Sequence, residues 1–136
     1  MAKLNGQIAL GYSGQCEAAL KSYERWFNAT IVYMMRWADS PAKADAPAEW
    51  HGKIYHSTVK IGDFTMACSD PTPGNYEAPK GFQILLQMDD TAEAERVFAA
   101  MAQDCRVGMP LQETFWAKRF GVVADPFGIT WTINCE

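Results

Sequence analysis

Histidine is scarce in this chain, with two in 136 residues, at positions 51 and 56. Any role for an imidazole therefore rests on one of these two. Clustered basic charge is missing as well. The 12 lysines and arginines are scattered among 16 acidic residues, for a net charge of −4. Nucleic acid and anionic membranes are poor partners for such a surface, because phosphate binding needs concentrated positive charge. CxxC spacing is absent too: the four cysteines stand apart at 16, 68, 105 and 135. With no secretory leader pattern ahead of them, they are expected to be reduced thiols in a cytoplasm. Apolar runs are too short and too often interrupted to span a bilayer. What remains is a chain suited to small molecules.

About half the residues are apolar (49%), enough for a single domain of this length to bury roughly two-thirds of its unfolded surface. Alternation predicts a strand at Gln7–Tyr12, broken by Ser13-Gly14-Gln15. A helix follows with Ala19, Leu20, Tyr23 and Phe27 on one face. Strands are then predicted at Ala29–Ala38, Lys53–Ile61 and Phe64–Ser69, the last two joined by a tight Gly62-Asp63 turn. After the breaker-rich DPTPGNYEAPKG the order restarts: strand Phe82–Asp89, a helix with Ala94, Val97, Phe98 and Met101 on one face, and strands at Arg106–Trp116, Arg119–Ala124 and Ile129–Asn134. The chain thus repeats a β-α-β-β-β unit at an offset of about 75 residues. One domain over 1–136 is expected, with module one at about 1–70, a link at 71–80 and module two at about 81–136. Each module alone leaves one sheet face uncovered, and pairing of the two would complete a curved sheet around a concave cup.

The most specific stretch is QETFWAKRFGVVADPFGITWTIN, from Gln112 to Asn134. With Gly14-Gln15-Cys16-Glu17-Ala18 before the first helix, Tyr23 and Phe27 within it, His56, and Ile61-Gly62-Asp63 leading to Ser69-Asp70, it resembles the PhnB-like group of the vicinal oxygen chelate (glyoxalase/bleomycin-resistance/dihydroxybiphenyl dioxygenase) superfamily. The resemblance covers nearly the whole chain. It implies an α+β fold of two β-α-β-β-β modules with a cup for a small molecule, and a homodimer.

Strand alternation then sorts residues between the helix-facing core and the cup. Ile8, Leu10, Tyr12, Phe82, Ile84, Leu86, Met88, Ile129, Trp131 and Ile133 are assigned to the core. The cup receives Gln7, Ala9 and Gly11, then Ile54, His56 and Thr58, then Thr65, Ala67 and Ser69 from the first module. Gln83, Leu85, Gln87, Thr130, Thr132 and Asn134 come from the second. The expected cup is polar and nearly uncharged. Metal-using relatives of the resembled family carry imidazole or carboxylate ligands on the first and last strands of each module, and those slots here hold approximately Gln7, Ala67, Gln83 and Thr132; slippage on the fourth strand would substitute Met66 or Cys68. Amides are poor ligands beside histidine or carboxylate, so no metal or other cofactor is expected.

The ligand-binding candidates are His56, Gln7, Gln83, Thr58, Thr132 and Trp116. His56 could orient a ligand oxygen or exchange a proton near neutral pH, or it could be satisfied by a neighbouring strand. Trp116 is a candidate aromatic wall, with packing the favoured alternative. Glu113, between Leu111 and Phe115, needs Arg119 or Lys118 if buried, and His51 is expected to be solvated. Cys68 and His56 fall on opposite strand faces, which argues against a Cys-His nucleophile. Cys16 at a helix start could carry a lowered pKa, but a small buried residue is the preferred reading. The DPFG sequence reads as turn chemistry. Ala38–Lys53, rich in alanine and proline, has neither period and reads as a lid carrying Trp50 or as plain disorder.

The expected function is metal-independent binding or sequestration of a small molecule. The alternative is a metal-dependent glyoxalase-like lyase, isomerase or dioxygenase. A methyltransferase activity, a label often attached to PhnB-like sequences, has no support in a chain without a glycine-rich strand-to-helix turn. A phosphonate ligand would ask for an arginine cluster that the cup lacks.

Overall fold

The computed structural model describes residues 2–136, and the chain divides after Ala78 into two compact units. Each unit holds one helix and one open, mixed four-stranded sheet. In the first, β1 (Ile8–Gly11) leads to α1 (Cys16–Phe27), β2 (Thr30–Arg36), β3 (Ile54–Ile61) and β4 (Phe64–Ser69). In the second, β5 (Ile84–Met88) leads to α2 (Thr91–Ala102), β6 (Arg106–Gln112), β7 (Arg119–Ala124) and β8 (Thr130–Cys135). The strand orders are β1-β4-β3-β2 and β5-β8-β7-β6, with β1–β4 and β5–β8 parallel and the other pairs antiparallel. The predicted repeat is thus present as topology.

Helix α1 starts without a side-chain cap of its own at Gln15. Asp70, just past β4, supplies one from a distance: Oδ1 accepts from the Gly14 and Cys16 amides, both at 3.0 Å, and Oδ2 from the Ile54 amide at 2.9 Å. One buried carboxylate therefore ties together a helix start, the first residue of β3 and the end of β4. The helix ends at Asn28 in the left-handed region (φ 55°), whose amide bonds back to Glu24, a conformation asparagine tolerates. In α2 the cap is local, with Asp90 accepting from the Ala92 amide.

The apolar stripes pack as their spacing predicts. Leu20, Tyr23 and Trp26 of α1 are buried with Leu10, Val59, Met66 and Cys68 of the sheet. Tyr12 and Tyr23 share a hydroxyl hydrogen bond of 2.7 Å in this core. In the second unit Val97, Phe98 and Met101 are buried with Ile84, Trp131 and Ile133, and the Phe98 ring lies directly over Gly121 of β7.

Two expectations are corrected. The strand expected to run to Trp116 stops at Gln112, after register shifts on either side of Met109, and a turn closes by a 3.0 Å bond from the Thr114 amide to the Ala117 carbonyl. The aperiodic Ala38–Lys53 is not plain disorder. It is wound into single 3-10 turns at Lys43–Asp45 and Ala48–Trp50, after one at Trp37–Asp39. Two indole N–H groups pin the stretch, Trp37 to the Asp70 carbonyl at 2.8 Å and Trp50 to the Pro71 carbonyl at 3.1 Å.

Candidate functional site

The side of each sheet turned away from its helix carries the residues left over from the core. In the first unit, pairing sets Ala9, Ala67, Thr58 and Tyr33 in one cross-strand row. His56 pairs with Met35 in the next row, and its ring is 6.1 Å from that of Tyr33. His56 is exposed and Thr58 half-buried on the same face of β3, whereas Gln7 lies just outside β1, two strands away. Ile54, assigned to this face by alternation, is fully buried. Nor is the face uncharged, because the same alternation brings Lys60, opposite Thr65, onto it. Cys68 pairs with Ser57 and points into the core toward Tyr12, so it cannot reach His56.

The second unit carries a ladder of neutral polar pairs. Thr132 Oγ1 donates to Gln83 Oε1 at 2.5 Å, and Asn134 Nδ2 donates to Gln87 Oε1 at 2.5 Å. Thr132 and Asn134 are 4% and 3% exposed, while Gln83 and Gln87 are exposed. Two recesses of about 490 Å³ each bracket the ladder, one lined by Lys80, Phe82, Gln83 and Thr130 and the other by Gln87, Met88, Asp89 and Glu136. Beside it, Phe120 pairs with both Asn134 and Gln112. Trp116 stands edge-on to Phe120 at 5.0 Å and to Phe115 at 4.8 Å. The ring cluster is therefore real, but Phe115 and Trp116 sit on the turn after β6 while Phe120 belongs to β7.

Several candidates find unexpected partners. His51 is not simply solvated: its Nε2 lies 3.2 Å from the carbonyls of both Lys43 and Ala46, which requires that nitrogen to carry the proton. Glu113 is exposed, and Arg119 instead pairs with Glu95 of α2 at 3.1 Å. The thiols of Cys16, Cys68 and Cys105 are held protonated. Burial pushes Cys16 well above the ordinary thiol range, Cys68 to about 11 and Cys105 to about 12. A lowered pKa at Cys16 is therefore excluded by desolvation. Burial also raises the Asp70 carboxyl, against the opposing pull of its three N–H donors.

The sequence places Asp125 in the DPFG turn without showing the partners it gathers there. Asp125 Oδ1 accepts from the Phe127 and Ile129 amides, both at 2.9 Å, and Oδ2 from the Trp131 indole at 2.8 Å. An Asp six residues before a Trp of the next strand is a signal that could have found it. Asn134 was assigned to the cup but not singled out.

The divalent ion used by some relatives finds poor ligands here. Gln7 precedes β1, Ala67 offers no donor atom, and Gln83 Oε1 is already committed to Thr132. Among the described residues no three His, Cys, Asp or Glu side chains converge. The donor set does not fit such an ion.

Two β-α-β-β-β units, each with an open four-stranded sheet, define a duplicated α+β fold. The model of the Glyoxalase/Bleomycin resistance protein/Dioxygenase superfamily matches residues 8–133, and the chain belongs to that family. It is similar to protein YjdN of Escherichia coli, 32% identical over 92% of this chain and 90% of the relative. Among solved structures it is similar to protein PA1353 from Pseudomonas aeruginosa, at 40% identity, a TM-score of 0.87 and 98% coverage of both chains. A PhnB protein from Bacillus cereus shares the fold at a TM-score of 0.79 and 22% identity, over 98% of this chain and all (100%) of that one.

Proposed function

We propose that the protein binds a small polar molecule against these sheet faces and needs no metal to do so. The observation that supports this best is the ladder Gln83–Thr132 and Gln87–Asn134, where neutral amides and a hydroxyl are already paired with one another. Such groups orient a ligand by hydrogen bonding and supply neither a Lewis acid nor a strong base. His56, with Thr58 beside it, is the imidazole of the first unit's face and is suited to read a hydroxyl, carbonyl or carboxylate. Gln7 is a further proposed contact of the first unit, and Trp116 of the second.

The methyltransferase activity named for the Bacillus cereus PhnB protein is not adopted, because this chain has no glycine-rich strand-to-helix turn for a nucleotide-like cofactor. The protein is further proposed to act as a homodimer. Val32 and Tyr33 on edge strand β2, and Val107 and Met109 on edge strand β6, are exposed apolar groups that a second copy would cover.

A thermal-shift screen of metabolites tests the reading, followed by titration of any hit against His56→Ala. Binding weakened by about 1–3 kcal/mol, with an unchanged melting temperature, supports it. A lowered melting temperature with unchanged affinity removes His56 from the site. Light scattering that finds a monomer at micromolar concentration refutes the dimer.

A further inference from the structure

One buried side-chain polar atom in the second unit has no hydrogen-bond partner among the described residues. Asn134 is 3% exposed, and among the described residues nothing donates to its Oδ1. The amide orientation is fixed from the other side, because Nδ2 faces two acceptors, Gln87 Oε1 at 2.5 Å and Glu136 Oε1 at 3.3 Å. A carboxylate oxygen can only accept from an amide nitrogen, so exchanging N and O would set oxygen against oxygen. In the strand pairing Asn134 lies between Gln87 of β5 and Phe120 of β7, so the side of its amide away from Gln87 is the side of Phe120. There the Phe120 ring is met edge-on by Trp116, which is 45% exposed. Buried acceptors are normally satisfied, so this one takes a donor from outside the chain, a water or a ligand group that displaces it.

We propose that this acceptor and these rings form a subsite for a planar aromatic group carrying one N–H or O–H, which donates to Asn134 Oδ1 while its ring packs against Phe120 and Trp116. The inference rests on the small-molecule reading above and adds to it the ligand class. Apolar rings supply contact area but tolerate many shapes, whereas a buried acceptor penalises any ligand unable to donate. The recess lined by Gln87, Met88, Asp89 and Glu136 adjoins the pair that holds the Asn134 amide.

The test compares two probes of nearly equal shape, indole with its N–H and benzofuran with an oxygen in its place, titrated at millimolar concentration into the full chain. Amide and indole resonances are followed by NMR. Indole is expected to shift the Trp116 indole and the Asn134 side-chain amide, and to bind about tenfold or more tightly than benzofuran, the usual consequence of leaving a buried acceptor unpaired. In Asn134→Leu that preference should vanish, with the Trp131 indole resonance reporting an intact core. Equal binding of both probes to the wild-type protein at this face overturns the donor assignment and leaves the small-molecule reading standing. No shift at this face with either probe overturns the subsite, while the metabolite screen judges the broader reading independently. Because the wild-type comparison needs no variant, the outcome does not depend on Asn134→Leu folding.

Discussion

Removing an acceptor oxygen of Asp70 should loosen the first unit where its carboxylate ties three segments together. Its carboxylate is 1% exposed and accepts from Gly14, Cys16 and Ile54 amides at 2.9 to 3.0 Å. Asp70→Asn keeps the shape and one oxygen. That oxygen can still serve Gly14 and Cys16, but the new NH2 then faces the Ile54 N–H, donor against donor. Hydrogen bonds to charged groups contribute about 1.5–3 kcal/mol each, and a buried donor left unmade costs about 1–3 kcal/mol. A loss of about 2–3 kcal/mol is expected. Asp70→Ala orphans all three donors, and Ile54 is too deeply buried for water to replace the carboxylate. Its cost should reach about 4–5 kcal/mol, near the upper end for single substitutions. With a urea m-value of about 1–3 kcal/mol/M, the Asn variant should lower the unfolding midpoint by about 0.7–3 M, followed by circular dichroism. An Asn variant within about 0.5 kcal/mol of wild type, the scatter of ordinary surface substitutions, would refute this account of how α1 is anchored.

Gly121→Ala should destabilise the second unit by about 1–3 kcal/mol, because its new methyl would lie 2.6 Å from the Phe98 ring and 3.1 Å from the Leu111 backbone; thermal melts that match wild type would contradict the packing. Iodoacetamide at pH 8 should leave Cys68 unlabelled in the native state, since a pKa near 11 leaves about one thiol in a thousand ionised, and rapid native labelling read by mass spectrometry would count against it. The same shifts make stability pH-dependent. Folded-state pKa values raised above the unfolded value mean that the contribution of Cys16 and Cys68 is intact below about pH 8.5 and is lost as pH rises toward the folded values, at about 1.4 kcal/mol per pH unit for each. Denaturation at pH 8 and pH 10 measures the slope, which Cys68→Ala should reduce. Protein purified without a metal-binding tag should hold well below one equivalent of zinc, nickel, iron or manganese, and stoichiometric metal that survives dialysis would move the enzyme reading ahead of the binding one.

Much of the architecture was legible because its determinants are local and periodic. Ala19, Leu20, Tyr23 and Phe27 mark a helix face by spacing alone, and Ile84 and Leu86 mark the buried side of a strand by alternation. The duplicated order of elements, and the separation of Cys68 from His56 onto opposite faces, follow from the same two periods. Periodicity failed where the chain stops being periodic. The shifts around Met109 and the turn closed by Thr114 and Ala117 took Phe115 and Trp116 off the strand on which alternation had placed them. Residues distant in sequence also meet by strand pairing that no local pattern encodes. Asp70 caps a helix 54 residues away, and Thr132 finds Gln83 across 49. The sequence by itself determined which side chains share a face, since the backbone's repeat is set by steric preferences at each residue. Only the tertiary structure decided which of them are satisfied and that Asn134 Oδ1 is not, because hydrogen bonding depends on atoms that approach within about 3 Å only after the strands have paired.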